Sequence, residues 1–343
     1  MKNVLLSIFA CMAIILLCSM AWVRLNILQP ALITLPEHIR DIAVIDRTLQ
    51  DATSKTKTEQ VLTGEMFKQD EQALKRAIDG TLEVCAEFNM FKIIRTAERF
   101  KGGGTKTTFP APMPWDQIND ICNKHQADAI LSIEIFDTDF IIANPVNLAL
   151  QVLEGNALKG GGFRVTAVAV INYGVRLYDL ANKKILDEYQ VTHRLNFEGS
   201  GSNAQDAMNH LLNKVEGINN TSYAAGRIYG ERISPSYYRV TREFYNKPKK
   251  DNNLRAGVRK SEVADWNGAI ESWTKALNGK RKVARRAAFN IAVAYEVLGD
   301  LEKAKEWAAK SYTEYGEKLG NDYFKILQHR IREEAVIKRQ VPQ

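Results

Sequence analysis

Ala269 and Ala304 stand 35 residues apart, each inside a matching pattern of large and small residues. The downstream copy carries Ala287, Asn290, Ile291, Ala292, Ala294, Tyr295, Gly299, Asp300 and Ala304, then Trp307, Lys310 and Tyr312. The upstream copy carries Asp265, Trp266, Ala269, Ile270, Trp273, Lys275, Ala276 and Leu277. A period of about 34 residues belongs to paired helices that stack on their neighbours. Where the second helix of a pair crosses the next, only a small side chain fits, which places the two alanines there. Trp266, Trp273 and Tyr295 then fill the gaps, and Gly299-Asp300 makes the turn within a pair. Such stacks build binding surfaces rather than reaction centres.

Residues 250–317 therefore read as two tetratricopeptide repeats. Two units seldom stand alone, and about three are needed. Support is expected from helices over 205–245. Phe324, Ile326, Leu327 and Ile331 predict a capping helix. Arg286, Phe289, Val293, Glu296 and Val297 are expected to line the concave side and to form a partner groove. Together with the basic run Lys280, Arg281, Lys282 and Arg285, that groove fits a peptide with an acidic end.

The chain upstream has a different texture. Ile42–Ile45 is a continuous apolar run, as in a strand buried on both faces. Leu74, Ala77, Ile78, Leu82, Cys85 and Phe88 recur at helical steps. Phe91–Ile94 reads as a strand. A helix is predicted from Pro114 or Trp115 through Ile118, Ile121 and Cys122, and a third strand over Ala129–Phe136. The order strand, helix, strand, helix, strand predicts a layered α/β arrangement. Val165 to Leu177 alternates with period two, Asp179–Lys184 turns, and Ile185–His193 returns, predicting an antiparallel hairpin. Helices are predicted from about Asn203 to Val215, from Tyr223 to Ile233 and, after Ser234-Pro235, from Tyr237 to Tyr245. An apolar helix-like piece covers Val146–Leu153. The fold class is α+β: an N-terminal α/β layered domain with a hairpin over 25–246, then a tetratricopeptide-like helical domain over 252–343. The charged stretch Lys247–Asp251 is the expected boundary.

Residues 1–24 read as a signal peptide or membrane anchor. Lys2 precedes an uncharged apolar run from Val4 to Val23, closed by Arg24. Three outcomes are open: acylation of Cys18 as in a bacterial lipoprotein, cleavage after Ala21, or retention as an anchor. Each places the remaining chain outside the cytoplasm, in the periplasm or at the outer membrane of a Gram-negative cell. Cys85 and Cys122 read as two buried thiols, a bridge between them being the alternative.

A net charge of +7 permits contact with anionic surfaces, but no dense basic helix with interleaved aromatics marks a nucleic-acid binder. The five histidines lack metal-ligand spacing, and no cysteine pair has zinc spacing. Gly102-Gly103-Gly104-Thr105-Lys106-Thr107 lacks P-loop spacing and is followed by prolines 110, 112 and 114. No catalytic residue, metal ligand or cofactor is expected. Asp46, Asp137 and Asp139 follow predicted strands, where open α/β sheets gather ligands, and are the weaker ligand-site candidates.

The segments Gln29-Pro30-Ala31-Leu32-Ile33-Thr34-Leu35-Pro36, Ala225-Gly226-Arg227-Ile228-Tyr229 and Arg242-Glu243-Phe244-Tyr245, taken with the repeats, resemble a family of exported, lipoprotein-like Bacteroidota proteins of unknown function. The resemblance implies envelope location and C-terminal helical repeats and carries no active residues. Leu17 departs from the small residue usual before an acylated cysteine. The first domain is also similar, at fold level, to small modules of lipoproteins that assist cell-wall synthesis or outer-membrane secretion. The expected function is a non-enzymatic envelope scaffold or adaptor that docks another envelope protein or peptide. The alternatives are a small-ligand-binding or enzymatic α/β domain and a structural subunit of an envelope complex.

Overall fold

A computed structural model describes residues 20–48, 67–102, 108–142, 163–211, 214–247 and 250–341. Cys18, most of the 1–24 leader, most of the polar stretch from Thr48 to Gln60, residues 103–107 of the glycine run and the piece over 146–153 lie outside them. The chain forms two compact units. Among the described residues, one holds 31–236 with 340–341. The other joins residues 20–30 with residues 237–339.

The first unit is built on a five-stranded sheet. Its strands are β2 (Asp41–Asp46), β3 (Lys92–Arg99), β4 (Ala129–Ile142), β5 (Phe163–Asp179) and β6 (Lys184–Gly201). Their order is β3-β2-β4-β5-β6. β2 lies parallel to both β3 and β4, with Ile42 opposite Ile93 on one side and Ala129 on the other. The crossovers run through helices α1 (Phe67–Ala86) and α2 (Trp115–His125). β4–β5 and β5–β6 are antiparallel.

Strand alternation sends residues to two cores. Ile42, Val44, Leu131, Ile171, Tyr173 and Val175 pack with α1 and with α4 (Lys214–Ile233). Ile45, Ile130 and Tyr178 meet Ile118, Ile121 and Cys122 of α2. Cys85 and Cys122 are free and buried in these separate cores. The helix expected over 203–215 ends at His210 as α3 (Ala204–His210), and α4 begins at Lys214.

In the second unit, α5 (Asn252–Glu262) pairs with α6 (Trp266–Ala276), α7 (Arg281–Val297) pairs with α8 (Leu301–Thr313), and α9 (Lys318–Gln340) caps the stack. Asp251, Asp265 and Asp300 accept hydrogen bonds from Leu254, Gly268 and Lys303 N–H and start three of these helices. Ala269, Trp273 and Ala304 are fully buried.

The support for this stack differs from the expected helices. Residues 236–245 form a strand, β7 (Ser236–Tyr245), which pairs with β1 (Met20–Gln29). Tyr, Val, Thr and Phe prefer a pleated surface, and pairing with β1 outweighs the helical spacing read over 237–245. Met20, Ala21 and Val23 pack on the helical core, although the sequence placed them in the leader. The helical unit thus takes in β7 along with the residues that follow it.

Candidate functional site

The expected partner groove is filled by the chain itself. Asn290 lies mid-helix in α7, fully buried. Its Oδ1 accepts the Tyr245 N–H at 2.7 Å, and its Nδ2 donates to the Tyr245 carbonyl at 2.8 Å. One side-chain amide thereby grips both polar groups of an extended residue, a way of holding a strand through its backbone. Glu296, one to two turns on, accepts from Arg242 Nε of β7 at 2.8 Å and from Tyr323 Oη and Arg330 Nη1 of α9. Burial and this carboxylate push the Tyr323 hydroxyl well above its ordinary pKa. Phe289 and Val293 are buried, with Phe289 against Tyr245 and Tyr323. Arg286 stacks over the Tyr245 ring at 4.6 Å and donates to the Lys247 carbonyl at 2.6 Å, while Val297 is half-buried against the core. Three of the five proposed groove residues, Arg286, Phe289 and Glu296, therefore hold β7, its following residues or the capping helix, while Val293 and Val297 belong to the helical core. A groove left open in the repeats alone would have exposed these apolar side chains, and β7 supplies what covers them.

A cation-lined cavity remains at the junction of the repeats. Arg281, Lys282, Arg285, Tyr315 and Gly316 line it, and it is an open depression of about 440 Å³. Arg285 Nε lies 3.0 Å from Glu317. Arg281 and Lys282 are exposed and have no carboxylate partner among the described residues.

The crevice of the α/β unit is also filled internally. β2 lies between β3 and β4, so the chain reverses direction across the sheet at the carboxyl ends of β2 and β4, where such sheets bind ligands. There Arg47 Nη1 donates to both oxygens of buried Glu134 at 2.9 Å. Tyr178 Oη donates to Glu134 at 3.1 Å and accepts the Met113 N–H at 3.1 Å. Arg47 also donates to the Ala111 carbonyl at 3.2 Å, and Arg176 to the Pro110 carbonyl at 2.7 Å and to Glu188 at 2.6 Å. Two arginines thus clamp the proline-rich loop over the crevice. Desolvation lowers and the Glu188 hydrogen bond raises the Arg176 pKa, and the net direction is up.

Asp46, Asp137 and Asp139 do not form one site. Asp46 pairs with Arg99 Nε at 2.8 Å and accepts from Thr48 N–H and Oγ1. Its neighbour across the ladder is Ile133, whereas Asp137 and Asp139 sit further along β4 opposite Asn172 and Val170. At about 3.3 Å per residue, roughly 13 Å of strand separates Asp46 from Asp137. Beside Asp46 a cavity of about 380 Å³ opens between β3 and α1, lined by Val44, Leu74, Ile78, Arg95 and Arg99. No group of three or more His, Cys, Asp or Glu converges for a metal ion among the described residues. No helix among them is long and apolar enough to cross a membrane.

Glu134 and Asn290 are the polar residues that hold these two interiors together, and neither was among the candidate site residues. The signal was their setting: a carboxylate inside the apolar run Ile130–Phe136, and an amide in the most apolar stretch of α7.

These features define an α/β sheet unit coupled in sequence to a helical-repeat unit, each with its concavity closed by its own chain. The family model described as Domain of unknown function (DUF8603) matches residues 39–245, and the chain belongs to that family. A second model, Domain of unknown function (DUF6340), matches residues 255–329. No curated protein matches the chain. Among solved structures, a PelC dodecamer from Paraburkholderia phytofirmans is similar at 11% identity and TM-score 0.23, covering 62% of this chain and 98% of that one. A variant of the same PelC dodecamer gives 10% identity and TM-score 0.22 with the same coverage. At these scores neither carries anything to the present chain.

Proposed function

We propose that this protein is a non-enzymatic scaffold of the cell envelope, exported and tethered by Cys18 or by its retained apolar segment. Its helical unit docks an acidic segment of another envelope protein. The observation that carries the reading is the cavity of Arg281, Lys282 and Arg285, in which Arg281 and Lys282 have no carboxylate partner among the described residues. Cations of one sign around a concavity attract carboxylates and fix their geometry. The interior groove is committed to β7, so the docking surface moves outward to this rim. A photocrosslinker at Tyr315, which lines the same cavity, is expected to capture a discrete protein in intact cells, and Arg281→Glu with Lys282→Glu to abolish the capture. An unchanged set of crosslinks in the charge-reversed protein would sink the reading.

The cavity beside Asp46 favours a second reading, a small-ligand binder. Arg95→Ala should then erase any thermal shift that a pool of small anions produces on the wild-type protein.

A further inference from the structure

The outer face of the β1–β7 ribbon takes no part in either closed concavity or in the cation-lined cavity. Along β1, exposed Trp22, Arg24 and Asn26 alternate with the more buried Ala21, Val23, Leu25 and Ile27. The buried side is anchored, because Ala21 and Val23 pack on the helical core. Along β7, Tyr237, Arg239, Thr241 and Glu243 are exposed and Phe244 is buried. Trp22 is 60% exposed and Tyr237 51%. The Arg24 guanidinium lies 4.7 Å from the centre of the Trp22 ring. An exposed indole, a phenol and two arginines on a ribbon whose other side is anchored make a built surface.

Its chemistry selects the occupant. Trp and Tyr carry an apolar body and a polar tip, and they concentrate where hydrocarbon gives way to headgroups. Arginine pairs with phosphate oxygens in two-point geometry. The apolar run Val4–Val23 ends within β1. From Cys18 to Trp22 the chain spans at most about 14 Å, so a tether at either element holds this face close to a bilayer. Residues 237–339 carry 23 Lys and Arg against 14 Asp and Glu. That excess draws the unit toward anionic headgroups.

We propose that Trp22, Arg24, Tyr237 and Arg239 form a contact face for an anionic phospholipid surface. The rings sit at headgroup depth and the guanidinium groups lie on lipid phosphates. The inference rests on the envelope reading above. Because the inner side of the ribbon is held by the helical core, the face is preorganised and needs no folding on contact.

The test uses the full chain in phosphatidylglycerol–phosphatidylethanolamine vesicles whose acyl chains are brominated near the headgroup. Comparison with Trp22→Phe isolates the emission of Trp22. We expect about a twofold drop in that emission from shallow bromines and less from deep ones, as for an interfacial ring. Arg24→Glu with Arg239→Glu is expected to remove most of the drop. Unquenched Trp22 in vesicle-bound protein overturns the inference. So does a Trp22 shielded from aqueous iodide but untouched by bromolipid, which assigns the face to a protein partner or a second copy. Cell fractionation reads the location independently. Protein in the membrane fraction with unquenched Trp22 defeats the lipid face alone, whereas protein confined to the cytosol removes the envelope reading and the lipid face with it.

Discussion

Ala264 ends α5 at φ 62°, and Gly299 occupies the matching place in the next repeat at φ 83°. A Cβ in this left-handed region costs about 1–2 kcal/mol, which glycine avoids at some loss of unfolded-state entropy. Ala264→Gly is therefore expected to stabilise the helical unit by about 0.5–1 kcal/mol, seen as a higher urea midpoint at unchanged slope. Asp179 makes a pH-dependent counterpart. Burial pushes its carboxyl up, but hydrogen bonds from His38 at 2.8 Å and Asn182 at 2.7 Å prevail, and its pKa falls below the ordinary 3.8. A carboxylate with a depressed folded pKa stabilises the fold above its unfolded value, and that increment disappears as pH falls through the folded value. Asp179→Asn should cost about 1.5–3 kcal/mol at pH 7 and progressively less as the medium is acidified below pH 4, measured by urea unfolding at several pH values. At this scale the repeat period and the turn at Gly299-Asp300 were legible, whereas the capping role of Asp265 and Asp300 emerges from the structure. The partners of Asn290 and Glu296 were not, because the residues they hold lie tens of positions away and no local spacing encodes them.

Among elements, α1 and α4 approach each other backbone to backbone. A Cβ on Gly226 would lie 1.8 Å from the Ala77 carbonyl oxygen, and one on Gly80 would lie 2.1 Å from the Tyr223 carbonyl oxygen. The two helices meet backbone to backbone, and a methyl group has no flexible neighbour to displace. Gly226→Ala should force the pair apart and cost about 3 kcal/mol or more. Chemical denaturation followed at 222 nm checks this, and a cost under about 1 kcal/mol would mean the contact is looser than described. Both helices were visible as periodic segments, and the parallel strands with their hairpin were visible from buried runs and alternation. The pairing of α1 with α4 was not, for glycine in a helix reads equally as a weak point. β7 was misread for a related reason. Tyr237 to Tyr245 mixes aromatic, β-branched and charged residues, so the two periods score alike, and the first half of its partner β1 lay in the stretch read as a leader.

For the molecule as a whole, the helical unit is assembled from both ends of the chain: β1 precedes the α/β unit and β7 follows it. The repeats alone are therefore an incomplete core. Phe244 packs against Trp266 and Trp273, and Tyr245 supplies the backbone groups that satisfy Asn290. A fragment cut at the charge run, residues 252–343, loses these contacts, exposes Phe289 and leaves Glu296 without Arg242. Arg330 and Tyr323 still hold Glu296, so losing Arg242 costs less than the about 3–5 kcal/mol of a fully unpaired buried charge, but it adds to the lost aromatic packing. We expect this fragment to retain helical circular dichroism, to bind a hydrophobic dye and to unfold without a sharp transition. Restoring residues 237–251 should return part of the cooperativity, and adding β1 as a separate peptide covering 20–30 should return more. A fragment 252–343 that melts as sharply as the full chain would show that the ribbon decorates the repeats rather than completing them.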